Sequence, residues 1–410
     1  MNEFDLIVVG GGPGGIFTAI TAAERGFKVA LLEKNKRIGN KILVAGSGKC
    51  NLTHTGKPKD FSDKYGQNGK FLKEALNKYS PEMLKTFFKE NGLPLVLVEE
   101  TGKYFPETFS SLDVVDLLKR KMMTLGVKII EGIKIESIQK NLEIFSILTD
   151  KGLYKCNSLV LATGGKSYPG VGTTGDGYVM AKELGHKIIP PKPALSPIYV
   201  RDYYFQELSG ISFQNVKITI WRENKKVIEK KGAVLLTHTN FSGPGILDNS
   251  RFVESESQLE INYIGKEYEV LNKELIEEMN KDGKKTIKKV LSYYFLPERF
   301  IKTILSILEI SEELKIAELS KEKRENLVRL LTSNKMEITK VGSFEMAMVT
   351  RGGVSLDEVN AKTMESKKTQ GLYLVGELLD IDGDTGGYNI QAACSTGVLA
   401  GKSIRKKERE

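Results

Sequence analysis

Residues Asp5 to Asn35 read DLIVVGGGPGGIFTAITAAERGFKVALLEKN. An apolar run ends in glycines, and the apolar spacing then changes from continuous to helical, with Ile16, Ala19, Ile20 and Ala23 on one face. This predicts a buried strand, a tight turn and a helix from about Gly14 to Arg25, with Gly26 as the helix stop and a second strand in FKVALLEK. Gly10, Gly12 and Gly15 form the spacing G-x-G-x-x-G in that context. Gly10 permits the turn, Gly12 lets backbone approach a pyrophosphate, and Gly15 lets helix and strand pack closely. Phosphates would sit on the helix N-terminus, where unpaired N–H groups and the dipole favour an anion. Glu33, 18 residues beyond Gly15 and ending the second strand, is placed to accept hydrogen bonds from a ribose.

The chain of 410 residues is long enough for two or three domains, and its 40% apolar and 28% charged residues are ordinary for a soluble protein. No apolar run approaches the roughly 18 to 20 residues that span a bilayer. The N-terminus lacks a basic flank before its apolar run, so no cleavable signal is expected and a cytoplasmic location is. Three cysteines, Cys50, Cys156 and Cys394, are too few and too scattered for a disulfide framework. The three histidines have no metal-ligand spacing, and no metal is expected. A net charge of +9 raises nucleic acid as a partner, but the lysines fall at spacings expected of solvated helix faces, the one dense cluster being the terminal KSIRKKERE. No nucleic acid and no membrane partner is therefore expected.

From about Phe71 to Leu125 the pattern reads mostly helical, and VKIIEG, IKIESIQK, IFSILTD and GLYKCNSLVLATGG read as strands, the last central in a parallel sheet. After the proline cluster Pro190–Pro197, alternating segments predict an antiparallel layer and then four short helices. A buried strand returns in GLYLVGE near Gly371, followed by a glycine-rich turn and a helix starting near Asn389. The expected fold is α/β: a discontinuous Rossmann-type domain (1–192 and 353–410), an inserted antiparallel β-barrel-like domain (193–268 and 335–352) and a small helical domain (269–334).

The fingerprint alone serves FAD and NAD equally. A second G-x-G-x-x-G, Gly170, Gly172 and Gly175, follows a strand and precedes a helix, but the next strand, HKIIPP, ends in prolines with no acid for a ribose. It reads as a loop closing over the first cofactor. The C-terminal return decides for FAD, because an extended FAD needs N–H donors at flavin N1 and O2, and a helix start at GGYNIQAA offers them from the backbone of Asn389, Ile390 and Gln391.

The stretches VVGGGPGG, NKILVAGSGKCNLTH, LATGGKSYPGVGTTGDGY, LTHTNFSGPGIL, AMVTRGGVSLDEV, KTMESK and GLYLVGELLDIDGDTGGYNIQAACSTG run in order from residue 7 to about 397. In them the sequence resembles the aminoacetone-oxidase-like flavoproteins, which include bile-acid enone reductases. The resemblance implies FAD contacts from Gly10, Gly12, Pro13, Gly14, Gly15, Glu33, Lys41, Gly48, Cys50, Asn51, Ala162, Thr163, Gly164, Gly376, Glu377, Asn389, Ile390 and Gln391, with Lys34 and Gly387 beside them. Lys49 stands where arginine is expected and His54 where asparagine is, and Asn240-Phe241 replaces a glycine-containing pair.

The expected chemistry is an FAD-dependent oxidoreductase exchanging a hydride between flavin N5 and a small organic substrate. Reduction of an activated C=C bond is favoured, from the resemblance, with NADH or NADPH as transient donor. Flavin-dependent oxidation of an amine resembling aminoacetone, an RNA-binding flavoprotein and a non-catalytic flavin carrier are the alternatives. Tyr388, beside the flavin-binding helix, and His238, at a strand-to-turn position, are the candidate proton donors. Cys50 reads as a small residue packed against cofactor rather than a redox thiol, and Cys156 and Cys394 read as core. Asp380, Asp382 and Asp384 lack the glutamate of a calcium loop and read as a solvated loop or a ribityl contact.

Overall fold

A computed structural model describes residues 2–406. The chain divides into two compact units, 1–194 with 344–410, and 195–343. Of the basic run 402–410, residues 407–410 lie outside the described residues.

The first unit is organised by a seven-stranded sheet. Strands Lys128–Glu131, Val29–Glu33, Asn2–Val9 and Gly152–Leu161 run parallel in that order, and Leu372–Leu374 pairs parallel with the last of them. Ile144–Thr149 and Ile135–Asn141 extend the sheet antiparallel along the N-terminal half of Gly152–Leu161. The register aligns Val9 with Leu32 and Leu161, and Leu161 with Leu374. The carboxyl ends of these strands therefore lie level, the place where open α/β sheets bind ligands. Each of Leu6, Ile7 and Val8 is fully buried, which explains why the first strand reads as a continuous apolar run rather than an alternating one.

The first helix spans Pro13–Glu24, with proline in its first turn, and its backbone ends where Gly26 takes φ 77°. The C-terminal helix, Tyr388–Ser403, lies against it along small residues. A Cβ on Gly397 would stand 2.3 Å from the Gly14 carbonyl oxygen, and one on Gly401 would stand 2.8 Å from Thr21 Cβ. Thr18 Oγ1 donates to Gly397 O at 3.1 Å, and Arg25 donates to Gly401 O at 2.6 Å. Two helices far apart in sequence are thus held at backbone contact.

Residues 71–125 contain helices Lys73–Lys78, Pro81–Glu90 and Ser111–Thr124, but also a hairpin, Leu95–Val98 with Lys103–Pro106, which the helical reading missed. Gly92 at φ 83° and Pro94 stop the preceding helix, and the β-branched Val96 and Val98 continue as strand. Thr53–His54 joins as a third strand. Residues 344–352 also fall elsewhere than expected. Val349–Val354 pairs antiparallel with Ile188–Ala194 inside the first unit rather than with the barrel. The partner carries Pro190, Pro191 and Pro193, which fit a two-stranded ribbon where missing donors are tolerated.

The second unit is a closed six-stranded barrel whose strands include Ser212–Arg222, Lys225–Leu236, Ser257–Asn262 and Asn334–Val341. Helices Tyr268–Asp282, Ile287–Ser292, Glu298–Ile307 and Lys321–Thr332 share its hydrophobic core, in which Phe213, Tyr263 and Phe300 meet at centroid distances of 4.8–5.0 Å.

Replacing Gly397 by valine should push the two helices apart and cost about 1–3 kcal/mol, as overpacking does. A lower midpoint in chemical denaturation is the expected result, and an unchanged midpoint would show the contact to be slack.

Candidate active site

The level strand ends bring three loops together. Gly10, Ala162 and Val375 follow Val9, Leu161 and Leu374, and the chain is stitched across them by Gly10 N–H to Leu32 O, Ala162 N–H to Val9 O and Val375 N–H to Leu161 O at 2.8, 2.8 and 3.2 Å. Gly10 has φ 107°, and a Cβ there would lie 2.5 Å from Ala162 O; one on Gly15 would lie 2.0 Å from Gly10 O. A Cβ on Gly12 would meet nothing within 4 Å, so the space beside the start of the first helix is open, with Pro13 and Gly14 forming its first turn. Glu33 is 8% exposed and accepts from Gly11 N–H at 2.7 Å and Asn35 N–H at 2.8 Å, which fixes its carboxylate beside the turn with lone pairs remaining for hydroxyl donors. An open, donor-rich helix start beside a fixed carboxylate fits the ADP end of FAD.

The second glycine pattern makes no second nucleotide unit. The strand after it, Ile188–Ala194, pairs antiparallel with Val349–Val354 outside the main sheet. Its loop lies instead against the end of the second strand: Lys34 Nζ meets Asp176 and Thr174 at 2.5 Å each, and Asn35 reaches Val171 O at 3.4 Å.

The other half of the site surrounds the start of the C-terminal helix. Gly387 precedes it at φ 91°, where a Cβ would stand 2.7 Å from Thr53 N, and Gly387 N–H donates to the Asn51 amide oxygen at 3.0 Å with that amide turned to satisfy its partners. The Asn389 side chain accepts from Gly383 N–H at 2.7 Å and donates back to Gly383 O at 3.0 Å, bracing the loop before the helix. The N–H groups of Asn389 and Ile390 lie in the first turn, which has no intrahelical acceptors. Gln391 differs from expectation, because its N–H already donates to Gly387 O at 3.0 Å. Its buried amide accepts from Thr53 Oγ1 at 2.7 Å and donates to Tyr79 O at 3.1 Å, so it secures the helix instead of presenting a donor.

Gly376 has φ 68°, and Gly164, two residues after Ala162 and adjoining Thr163, has φ 73°. Glu377 links separate segments, accepting from Lys41 Nζ at 2.6 Å and from Thr350 N–H at 2.7 Å; Thr350 lies in the stretch AMVTRGGVSLDEV, which did not single it out as a site residue. A small pocket is lined by Gly376, Glu377, Ile381, Asn389 and Ala392 among others. The reading of Asp380, Asp382 and Asp384 as a solvated loop does not hold. Asp382 and Asp384 are each 7% exposed, and Asp380 accepts from Gly352 N–H at 3.0 Å while burial pushes its carboxyl above the usual range. No cluster of metal-ligating side chains occurs among the described residues.

Cys50 follows Gly48, at φ 85°, and is itself at φ 57°; it is fully buried, and desolvation pushes its thiol up to about 12. Tyr388 is 5% exposed, with the His54 ring stacked on it at 5.0 Å and Phe61 and Tyr65 edge-on at 4.8 and 6.3 Å. His238 belongs to the other unit, exposed on a turn closed by Thr237 N–H to Asn240 O at 3.1 Å.

Fold and site together define an FAD-dependent oxidoreductase. The chain belongs to the HI0933-like protein Rossmann domain family, whose pattern matches residues 4–403. It is 30% identical to the 3-dehydro-bile acid delta(4,6)-reductase of Clostridium scindens, over 99% of this chain and 100% of that one. With the ribosomal RNA dihydrouridine synthase of Haemophilus influenzae it is 32% identical, again over 99% and 100%. The solved 3-ketosteroid-delta4-(5alpha)-dehydrogenase of Rhodococcus jostii shares the fold, with a TM-score of 0.51 and 15% identity across 99% of this chain and 97% of that one.

Two outcomes follow from this geometry. Gly387→Ala should weaken FAD binding by about 10-fold or more, since a contact of 2.7 Å at positive φ must displace either Thr53 or the helix start; fluorescence titration of the apoprotein with FAD reads the loss, and unchanged affinity contradicts it. All three cysteines are buried, so native protein at pH 8 should resist alkylation while denatured protein labels at each. Mass spectrometry showing rapid native labelling of Cys50 would reverse its assignment as inert.

Proposed function

We propose that this protein reduces a C=C bond conjugated to a carbonyl, with electrons drawn from NADH or NADPH. The observation that carries the reading is full-length similarity to two relatives whose names describe that one type of bond. A 3-dehydro bile acid with delta(4,6) unsaturation is an extended enone, and dihydrouridine is uridine whose ring C=C, conjugated to a ring carbonyl, has been saturated. In the net reaction the double bond gains a hydride and a proton, and the reduced nicotinamide becomes oxidised.

FAD, when bound, supplies the two-electron hydride chemistry. The turn Gly10–Gly15 and Glu33 would hold its ADP end, and Glu377, Lys41 and the first turn of the C-terminal helix would hold the other. Asn389 and Ile390 would offer N–H groups and the positive end of the helix dipole to the carbonyl edge of a bound flavin. The buried braces from Asn51, Thr53 and Gln391 keep those donors aligned before any charge develops.

The carbon next to the carbonyl must take a proton. Tyr388 and His238 are the candidates in the two units, and a positioned general acid contributes roughly 10²–10⁴-fold. If Tyr388 is the donor, Tyr388→Phe should slow oxidation of reduced protein by an enone about 100-fold while leaving reduction by NAD(P)H unchanged. An unchanged rate in Tyr388→Phe removes Tyr388 as the donor.

The founding test is anaerobic stopped-flow at the flavin band, at ~450 nm. Bleaching by NADH or NADPH, followed by recolouring with a steroid dienone, supports the reading. Bleaching by an amine such as aminoacetone, with no response to nicotinamides, replaces it with amine oxidation.

A further inference from the structure

Thr350 stands where three parts of the candidate site meet. It is fully buried in the strand Val349–Val354. Its hydroxyl oxygen accepts from Lys166 N–H at 2.7 Å and from Ser167 N–H at 3.1 Å, and Ser167 Oγ lies 2.9 Å away. A threonine hydroxyl has two lone pairs and one proton. Both lone pairs are taken by backbone donors, so the proton goes to Ser167 Oγ. The backbone N–H of Thr350 donates to Glu377 Oε1 at 2.7 Å, and Glu377 Oε2 accepts from Lys41 Nζ at 2.6 Å. Two residues on, Gly352 N–H donates to Asp380 Oδ1 at 3.0 Å, so this one strand holds two carboxylates of the loop after Leu374.

Little slack remains in this arrangement. A Cβ on Gly165 would stand 2.4 Å from Thr350 Oγ1 and 2.8 Å from Glu377 Oε1, so the loop after Leu161 touches the hydroxyl and the carboxylate together. The chain anchored at Ser167 continues to Thr174 and Asp176, which meet Lys34, the residue after Glu33. Residues 165–176 are therefore fixed against Glu377 at one end and beside Glu33 at the other. Packing alone would ask nothing of the direction of the Thr350 hydroxyl. Here the hydroxyl and the N–H of one residue bind two different strand-end loops, and that fixes the separation of those loops.

We propose that Thr350 is a positioning residue for the flavin reaction: it sets the Glu377–Lys41 pair against the loop 164–167, and through that pair it controls the grip on the flavin end of FAD. The inference rests on the reading that Glu377 and Lys41 hold that end, and it is independent of which bond is reduced. Thr350→Val leaves the buried N–H groups of Lys166 and Ser167 without their acceptor, a loss that the loop relieves by moving, and Glu377 then has no fixed neighbour to define its place.

The test is FAD retention by the full-length holoenzyme, read from the fluorescence of FAD released on serial dilution. Thr350→Val should raise the dissociation constant about 10-fold or more, since buried N–H groups left unpaired are costly. Thr350→Ser keeps the hydroxyl and should restore most of the affinity, and Gly165→Ala should reproduce the loss with Thr350 intact. Because Thr350 acts through Glu377, the effect of Thr350→Val in a Glu377→Gln background should shrink to about 2-fold or less, the mark of a coupled pair. Should Thr350→Val not fold, Gly165→Ala carries the same cycle with Glu377→Gln. Additive losses, or a Thr350→Ser as weak as Thr350→Val, reduce Thr350 to ordinary core packing and overturn the proposal. So does unchanged affinity in Thr350→Val, or in Glu377→Gln alone, which would remove Glu377 from the flavin end. If the cycle is coupled as described but parent protein reduces no enone, the reductase reading fails and the positioning role stands.

Discussion

The contact on which the cofactor site depends is the one between the first and the last helix. Gly14 and Gly397 meet at backbone distance, and Thr18 donates to both the Gly14 and the Gly397 carbonyl oxygens, at 2.7 and 3.1 Å. One helix begins at the fingerprint proposed to receive phosphate and the other at the donors proposed to receive the flavin's carbonyl edge. Their spacing sets the distance between the two halves of the candidate site, so a side chain inserted at this contact would alter the site without touching it.

Much of this was legible in the sequence because glycine is legible. Gly10, Gly15 and Gly387 occupy positions where a Cβ would strike backbone, and their spacing alone announces a turn. The parallel strands were legible as unbroken apolar runs. What escaped was determined by partners distant in sequence. Val349–Val354 looks like any alternating strand, and only its pairing with the proline-bearing Ile188–Ala194 assigns it to the nucleotide unit. The hairpin at 95–106 was hidden between two good amphipathic helices.

The site shows the same division. Glu33 could be found by counting from the fingerprint, whereas Thr350, whose backbone N–H holds Glu377, lies in a stretch that carries the resemblance but gives no sign of that role. Gln391 was recognised as belonging to the flavin end, but the hydrogen bonds from its side chain give it a different task there from the one its position suggested. Asp382 and Asp384 show how composition misleads: three acids among glycines suggest a wet loop, yet two of them are buried. In each case the motif located the element, and the tertiary partner decided the function of the side chain.

The interruption of the nucleotide unit by residues 195–343 has a consequence during synthesis. The fingerprint and the strand ending at Leu161 leave the ribosome early, but Leu372–Leu374 and the closing helix come last. At about 5–20 residues per second, that gap lasts roughly 10–40 s, during which the nascent first half has no second helix to lie against. The barrel unit is contiguous and can form in the interval. The two halves of the candidate site cannot meet until translation is nearly over, and any pause late in the message lengthens the life of an open half-sheet.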